Sequence, residues 1–247
     1  MFRKLSTRVR RTWASIALLS VEMTFVLGVF FVALIGFAYI VRRVFVLENN
    51  SFDQQVFDYL EQFVTPGTNQ VMKFITFFGT HRFLIPANLG LIAWFLFIRR
   101  HKWYSIKIPA IGLSSLVLMA GLKHLFGRQR PLIPLLEPAR GLSFPSGHAL
   151  MSMTFYGMLI YITWHSVKDP RTKWTLIVLL FLWILAIGFS RIYLRVHYTS
   201  DVLAGFAMGW LWIVLALKSL RFIEKKSKLK LNPVVEAPKT DSGQAAA

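Results

Sequence analysis

The feature that most constrains this chain is a series of apolar runs, most about twenty residues long, set apart by short polar segments rich in Lys and Arg. About 20 apolar residues in a helix cross the hydrocarbon core of a bilayer, and only helices or closed barrels satisfy their backbone groups there. The runs fall at about Trp13–Ile40, Phe83–Ile98, Tyr104–Phe126, Gly147–His165, Trp174–Leu194 and Thr199–Leu220. Hydrophobic residues make up 55% of the 247, above the usual share for a soluble domain. Trp13, Trp103 and Trp174 sit near run ends, where an interfacial belt would place them. The first run exceeds the apolar part of a signal peptide, and no small-residue cleavage site follows it cleanly.

Between the first two runs the pattern changes. In Arg42–Phe63, the residues Phe52, Val56, Phe57, Leu60 and Phe63 recur at near-helical spacing, with Asp53, Asp58 and Glu61 between them. That spacing predicts an amphipathic helix lying on the membrane surface. Thr65-Pro66-Gly67-Thr68 breaks and caps it. Asn69–Thr80 reads as a short helical piece that spans nothing unless it joins the run that follows. The expected architecture is an all-α integral membrane protein with six transmembrane helices plus an extracytoplasmic amphipathic helix. Residues 1–12 form a basic tail, 13–220 a single membrane domain, and 221–247 a basic tail whose composition predicts disorder.

The formal net charge is +18. A nucleic-acid binder is the obvious rival for so basic a chain, but the cations cluster in short loops and tails beside apolar runs. That placement is topological and suits anionic lipid headgroups, so no nucleic-acid partner is expected. With both termini on one side, the segments there and the adjoining span ends carry 19 of the 29 Lys and Arg. The positive-inside rule then predicts cytoplasmic termini in a multi-pass protein of the cell membrane. The polar motifs described next would face the exterior or periplasm. Glu22 lies in the first run and is read as facing the bundle. There is no cysteine, hence no thiolate nucleophile and no Cys-type metal site.

Three stretches carry polar residues at membrane depth. In Ser190–Asp201, His197 and Asp201 are four apart, so the carboxylate can hold one imidazole nitrogen and leave the other free as base or nucleophile. Arg191 adds a cationic fork suited to an oxyanion. In Phe144–His148, Ser146 is an N-cap, and the helix it opens would aim the Gly147 and His148 amides at an anion. Gly147 would let that anion approach the backbone, and His148 is placed to protonate a leaving group. In Lys123–Pro131, Lys123 and Arg130 are seven apart, about two turns if the helix persists. Each stretch also has a plainer reading: a buried helix-end histidine, an ordinary N-cap, interfacial cations. Together they supply cations, an open helix start, two histidines and a carboxylate. That is an inventory for phosphoryl transfer without a metal. No carboxylate cluster suited to Mg²⁺ stands on that side, so neither metal nor cofactor is expected.

The order K-x6-R-P, P-S-G-H, S-R-x5-H-x3-D resembles the three signature motifs of the type 2 phosphatidic acid phosphatase superfamily, with every motif position filled. The resemblance spans about Asn69–Leu220. It implies a membrane lipid phosphatase, with His197 as the nucleophile forming a phosphohistidine and Asp201 orienting it. His148 would act as acid, then base. Lys123, Arg130, Ser146, Gly147 and Arg191 would hold the phosphate. The implied substrates are of the undecaprenyl pyrophosphate or phosphatidylglycerol phosphate class. A phosphotransferase or lipid A phosphatase with the same site, and a silent lipid-binding protein, are the alternatives. His81, His124, Arg128, Glu137, Arg140 and Arg195 are read as solvated or structural residues within reach of a headgroup.

Overall fold

A computed structural model describes residues 24–135 and 141–235. Among them every regular element is helical. Helix α1 (Thr24–Val46) ends in a π turn over Arg42–Val46. Then come α2 (Ser51–Glu61), α3 (Pro66–Phe77) and α4 (His81–Ala93), which runs into a second π turn at Trp94–Ile98. Helices α5 (Lys102–Phe126), α6 (Gly147–Ser166), α7 (Pro170–Tyr193) and α8 (Thr199–Val235) complete the bundle. Trp13, Glu22, Glu137 and Arg140 lie outside the described residues.

Local chemistry sets the boundaries. Thr65 and Thr68 form a reciprocal capping box, with Pro66 at the first helical position of α3. Ser146 caps α6 by accepting from the Ala149 amide, and Asp169 caps α7 by accepting from the Thr172 amide at 2.8 Å. Gly127 ends α5 in the left-handed region (φ +60°), where a Cβ would be strained.

Among the described residues, five helical stretches are long and apolar enough to cross a membrane: 24–46, 66–98, 102–126, 170–193 and 199–228. The stretch from Pro66 to Ile98 includes both α3 and α4, which break only at Phe78–Thr80. The short piece expected over 69–80 therefore does join the next run. Helix α6 is as long as a span but less apolar, because it stands at the centre. It buries Ser152, Thr154 and Tyr156 against its neighbours instead of presenting a lipid face.

Helices α6 and α8 pack backbone to backbone. A Cβ on Gly205 would stand 2.7 Å from the Ser146 carbonyl oxygen, and one on Gly209 2.9 Å from that of Leu150. This small-xxx-small pair is what lets the two helices touch.

Two expectations are corrected. The helix expected over 42–63 is shorter, because Arg42–Val46 belongs to α1. There Phe45 packs on Phe126 and Phe144, which holds the chain in the helix. The tail expected to be disordered from Arg221 is instead helical to Val235. Its first turns have partners: Glu224 pairs with Lys107 at 2.6 Å, and Arg221 donates to the Tyr161 hydroxyl and contacts His165.

Candidate active site

The last turn of α7 and the first of α8 are joined by a tight loop, Leu194–Tyr198. Its Val196 and His197 amides both donate to the Arg191 carbonyl, which throws the His197 side chain inward at 1% exposure. Asp201 stands one turn into α8, with Oδ2 3.5 Å from His197 Nδ1. The same oxygen accepts from the Ser143 hydroxyl and the Tyr198 amide. Oδ1 accepts from Arg128 Nη1 at 2.6 Å. An ionised carboxylate only accepts, so the Nδ1 side of the ring carries the proton and Nε2 keeps its lone pair. Burial, opposed by Asp201 and reinforced by Arg130 and Arg191, drives the His197 imidazole down to about 3. At neutral pH the ring is uncharged, with the Nε2 lone pair open to act as a base or a nucleophile.

The cations are held by fixed acceptors. Arg130 donates through Nε to the Gly141 carbonyl at 2.9 Å and through Nη1 to the Val196 carbonyl at 2.8 Å. The same Nη1 lies 3.2 Å from His197 Nε2. Arg191 donates to Thr76 Oγ1 at 2.7 Å, and its buried Nε has no hydrogen-bond partner among the described residues. Lys123 donates to the Leu142 carbonyl. Because α5 stops at Phe126, Lys123 and Arg130 do not share a helical face. The loop after Gly127 brings Arg130 back beside Lys123 instead.

Lys123, Arg130, Gly147, His148, Arg191 and His197 line one cavity of about 500 Å³. Its far wall is apolar, formed between α4 and α5 by residues that include Leu84, Ile85, Leu89, Leu113 and Leu116. His81 also lines it. Ser146 and Asp201 are not on the cavity wall. Ser146 is fully buried, and its amide donates to the Asp201 carbonyl at 2.9 Å, so it ties the start of α6 to the start of α8. At Gly147 a Cβ would come within 2.7 Å of Met119 Sδ, so a larger residue there would have to displace the Met119 side chain. His148 Nε2 is buried and has no hydrogen-bond partner among the described residues. Its ring rests on Gly79, where a Cβ would fall 2.9 Å from Cδ2. Arg195 reaches Glu61 at 3.6 Å, away from the cavity.

Comparison with known proteins gives the arrangement a family. The PAP2 superfamily model matches residues 103–224. Phosphatidylglycerophosphatase B of Bacillus subtilis is 31% identical over 147 residues, 59% of this chain and 72% of that one. The chain belongs to the PAP2 superfamily. An undecaprenyl-diphosphatase of Sulfolobus acidocaldarius is 27% identical over 168 residues, 66% of this PAP2 chain and 75% of its relative. The crystal structure of a transmembrane PAP2-type phosphatidylglycerolphosphate phosphatase from Bacillus subtilis superposes with a TM-score of 0.68. That match has 27% identity and covers 81% of this chain and 96% of the other. With its apolar helices, the PAP2 chain is a multi-pass membrane protein, and its relatives support a lipid phosphatase.

The PAP2 match contains every motif residue but stops short of α1–α4. Sequence reasoning missed three supports of the site. Ser143 lies two residues before the P-S-G-H motif with no distinguishing pattern. Arg128, read as an outer-face residue, is the partner of Asp201. Asp53, read as the polar face of a surface helix, is 2% exposed and bonded to α8.

Proposed function

We propose that this protein is a lipid phosphatase of the cell membrane that works through a phosphohistidine. The observation that carries the reading is the cavity. His197 and three cations stand at one end and an apolar wall between two membrane-length helices at the other, which suits a phosphate attached to a lipid tail. His197 Nε2 attacks phosphorus, and Asp201 holds the ring as positive charge develops. The phosphorus–oxygen bond to the lipid breaks while His148 gives that oxygen a proton. Water then attacks the phosphohistidine, His148 takes its proton, and inorganic phosphate leaves with the Nε2–phosphorus bond broken. Lys123, Arg130, Arg191 and the Gly147 amide hold the phosphate oxygens; Ser146 serves them by fixing the start of α6.

In this reading α6 is also a span, the fourth of six, and α2 lies at the outer membrane surface. Both termini are cytoplasmic and the site faces outward, as the Lys and Arg distribution favours. The substrate is of the undecaprenyl pyrophosphate or phosphatidylglycerol phosphate class. No metal takes part, because the cations and amides supply the charge stabilisation. The test is phosphate release by detergent-purified protein with EDTA present. Undecaprenyl pyrophosphate, phosphatidylglycerol phosphate and phosphatidic acid are compared in parallel, with His197→Ala as control. Release that survives EDTA and disappears in the variant is expected. Release abolished by EDTA refutes the metal-free chemistry, and release by His197→Ala refutes the nucleophile.

A further inference from the structure

Asp201 does not stand alone behind His197. Arg128 Nη1 donates to Asp201 Oδ1 at 2.6 Å and to Ser200 Oγ at 2.7 Å. Its Nη2 donates to Asp53 Oδ2 at 2.9 Å and to Asn50 Oδ1 at 2.7 Å. The guanidinium lies over the Tyr198 ring, 4.0 Å from its centroid. The Arg128 carbonyl accepts from the Ser143 amide at 2.7 Å, and the Ser143 hydroxyl donates to Asp201. One residue therefore fixes Oδ1 directly and the donor to Oδ2 through the backbone.

Asp53 completes the arrangement from outside the bundle. Its Oδ1 accepts from the Ser200 amide at 2.8 Å and its Oδ2 from the Ser200 hydroxyl at 2.6 Å. Ser200 is the second residue of α8, so Asp53 caps that helix from a separate one, α2. The next residue is Asp201. A carboxylate and a guanidinium carried 75 residues apart thus set the backbone and the side chain of the aspartate that holds the nucleophile. Neither residue is a motif position, and Asp53 precedes the matched family region.

We infer that Arg128 and Asp53 are positioning residues for the reaction, acting on His197 through Asp201. The inference rests on the histidine reading above. A network that only held the fold together would change the yield of folded protein and leave turnover per folded molecule intact. A positioning network lowers kcat and spares KM, because the phosphate-holding cations are untouched. It also responds to a replacement for the missing cation.

The experiment measures kcat and KM of purified Arg128→Ala, Arg128→Lys and Asp53→Asn. It uses whichever of the three lipid phosphates the wild-type protein turns over, with the folded fraction set by size-exclusion chromatography. Arg128→Ala is expected to lose about 10- to 100-fold in kcat, by analogy with the loss of outer-shell partners that orient ligating groups at metal sites, with KM within about twofold. Guanidinium at non-denaturing concentration is expected to restore part of that kcat. Lysine keeps the charge but not the planar fork, so Arg128→Lys should fall between. Asp53→Asn should lose a smaller factor in kcat alone. If Arg128→Ala does not fold, Arg128→Lys and Asp53→Asn decide by the same split. Wild-type kcat per folded molecule in Asp53→Asn and in the folded Arg128 variants overturns the inference, provided His197→Ala is inactive in the same assay. Turnover by His197→Ala overturns the histidine reading itself, and the inference falls with it.

Discussion

Replacing Gly79 by alanine tests whether His148 is a proton donor held in place by packing. Gly79 sits in the break between α3 and α4. A Cβ there would lie 2.6 Å from Ile187 Cγ2, 2.9 Å from His148 Cδ2 and 3.4 Å from His148 Cβ. Carbon atoms in contact rest about 3.5–4 Å apart, so the histidine must move away by roughly 1 Å or the break must open. Ile187 is fully buried, which leaves the ring as the softer neighbour. Overpacking of this kind costs about 1–3 kcal/mol, which folded protein survives. Misplacing a reacting group by about 1 Å can cost about 10²-fold in rate, and a general acid contributes about 10²- to 10⁴-fold. Gly79→Ala is therefore expected to lower kcat on a lipid phosphate by about 10²-fold. The informative comparison is with 4-nitrophenyl phosphate, whose leaving group needs no proton. There the loss should be much smaller, and the wild-type preference between the two substrates should narrow. Equal losses on both substrates, or none on either, would refute the assignment of His148.

Other consequences follow from the same geometry. Gly205→Val places a side chain against the Ser146 carbonyl and should prevent correct assembly, read as loss of monodisperse protein. Glu224→Gln leaves Lys107 buried without a counter-charge (side chain 4% exposed). It should lower stability by about 3 kcal/mol, read as a lower thermal midpoint with unchanged kcat. Thr76→Val removes the hydroxyl that accepts from Arg191, and KM for the lipid phosphate should rise about tenfold, the factor for about 1.4 kcal/mol. Folding lowers the His197 value, so the unfolded chain binds this proton more readily. Between about pH 6.5 and 3, stability should fall as pH drops, by at most about 1.4 kcal/mol per unit from this group. His197→Asn should flatten the thermal midpoint across that window.

The membrane-length helices and the motif residues were legible because each rests on local pattern. Run length marks a span. Ser146 and Thr65 mark helix starts through side chains that bond three residues ahead. Helix α8 was read too short because Arg221–Val235 is rich in Lys, and composition alone suggests a solvated tail. What holds its first turns is Lys107 and Tyr161, 117 and 60 residues distant. The boundary between α1 and α2 failed for the same reason, since Phe45 is kept in the helix by Phe126 and Phe144. The six cavity-lining motif residues converge; of the other two, Asp201 stands behind His197 as its spacing predicts, and Ser146 caps α6 instead of facing the cavity. Ser146 and Asp201 work from behind the wall. Asp53 shows the limit most plainly: its spacing on an amphipathic helix predicts exposure, and only its contact with Ser200 buries it.

The contact between α6 and α8 through Gly205 and Gly209 has an engineering consequence. It mounts His148, at the head of one helix, and the His197–Asp201 unit, at the head of the other, on a single stiff frame. The apolar wall is built mainly from α4 and α5, outside the Gly205–Gly209 contact, with Lys123 and Met119 at the end of α5 adjoining the frame. Tail preference is then a replaceable module: grafting the α4–α5 wall of a relative with another lipid tail should move tail selectivity while EDTA resistance and the His197→Ala phenotype stay with the host. A graft that altered the chemistry along with the tail preference would show that frame and wall are mechanically one piece.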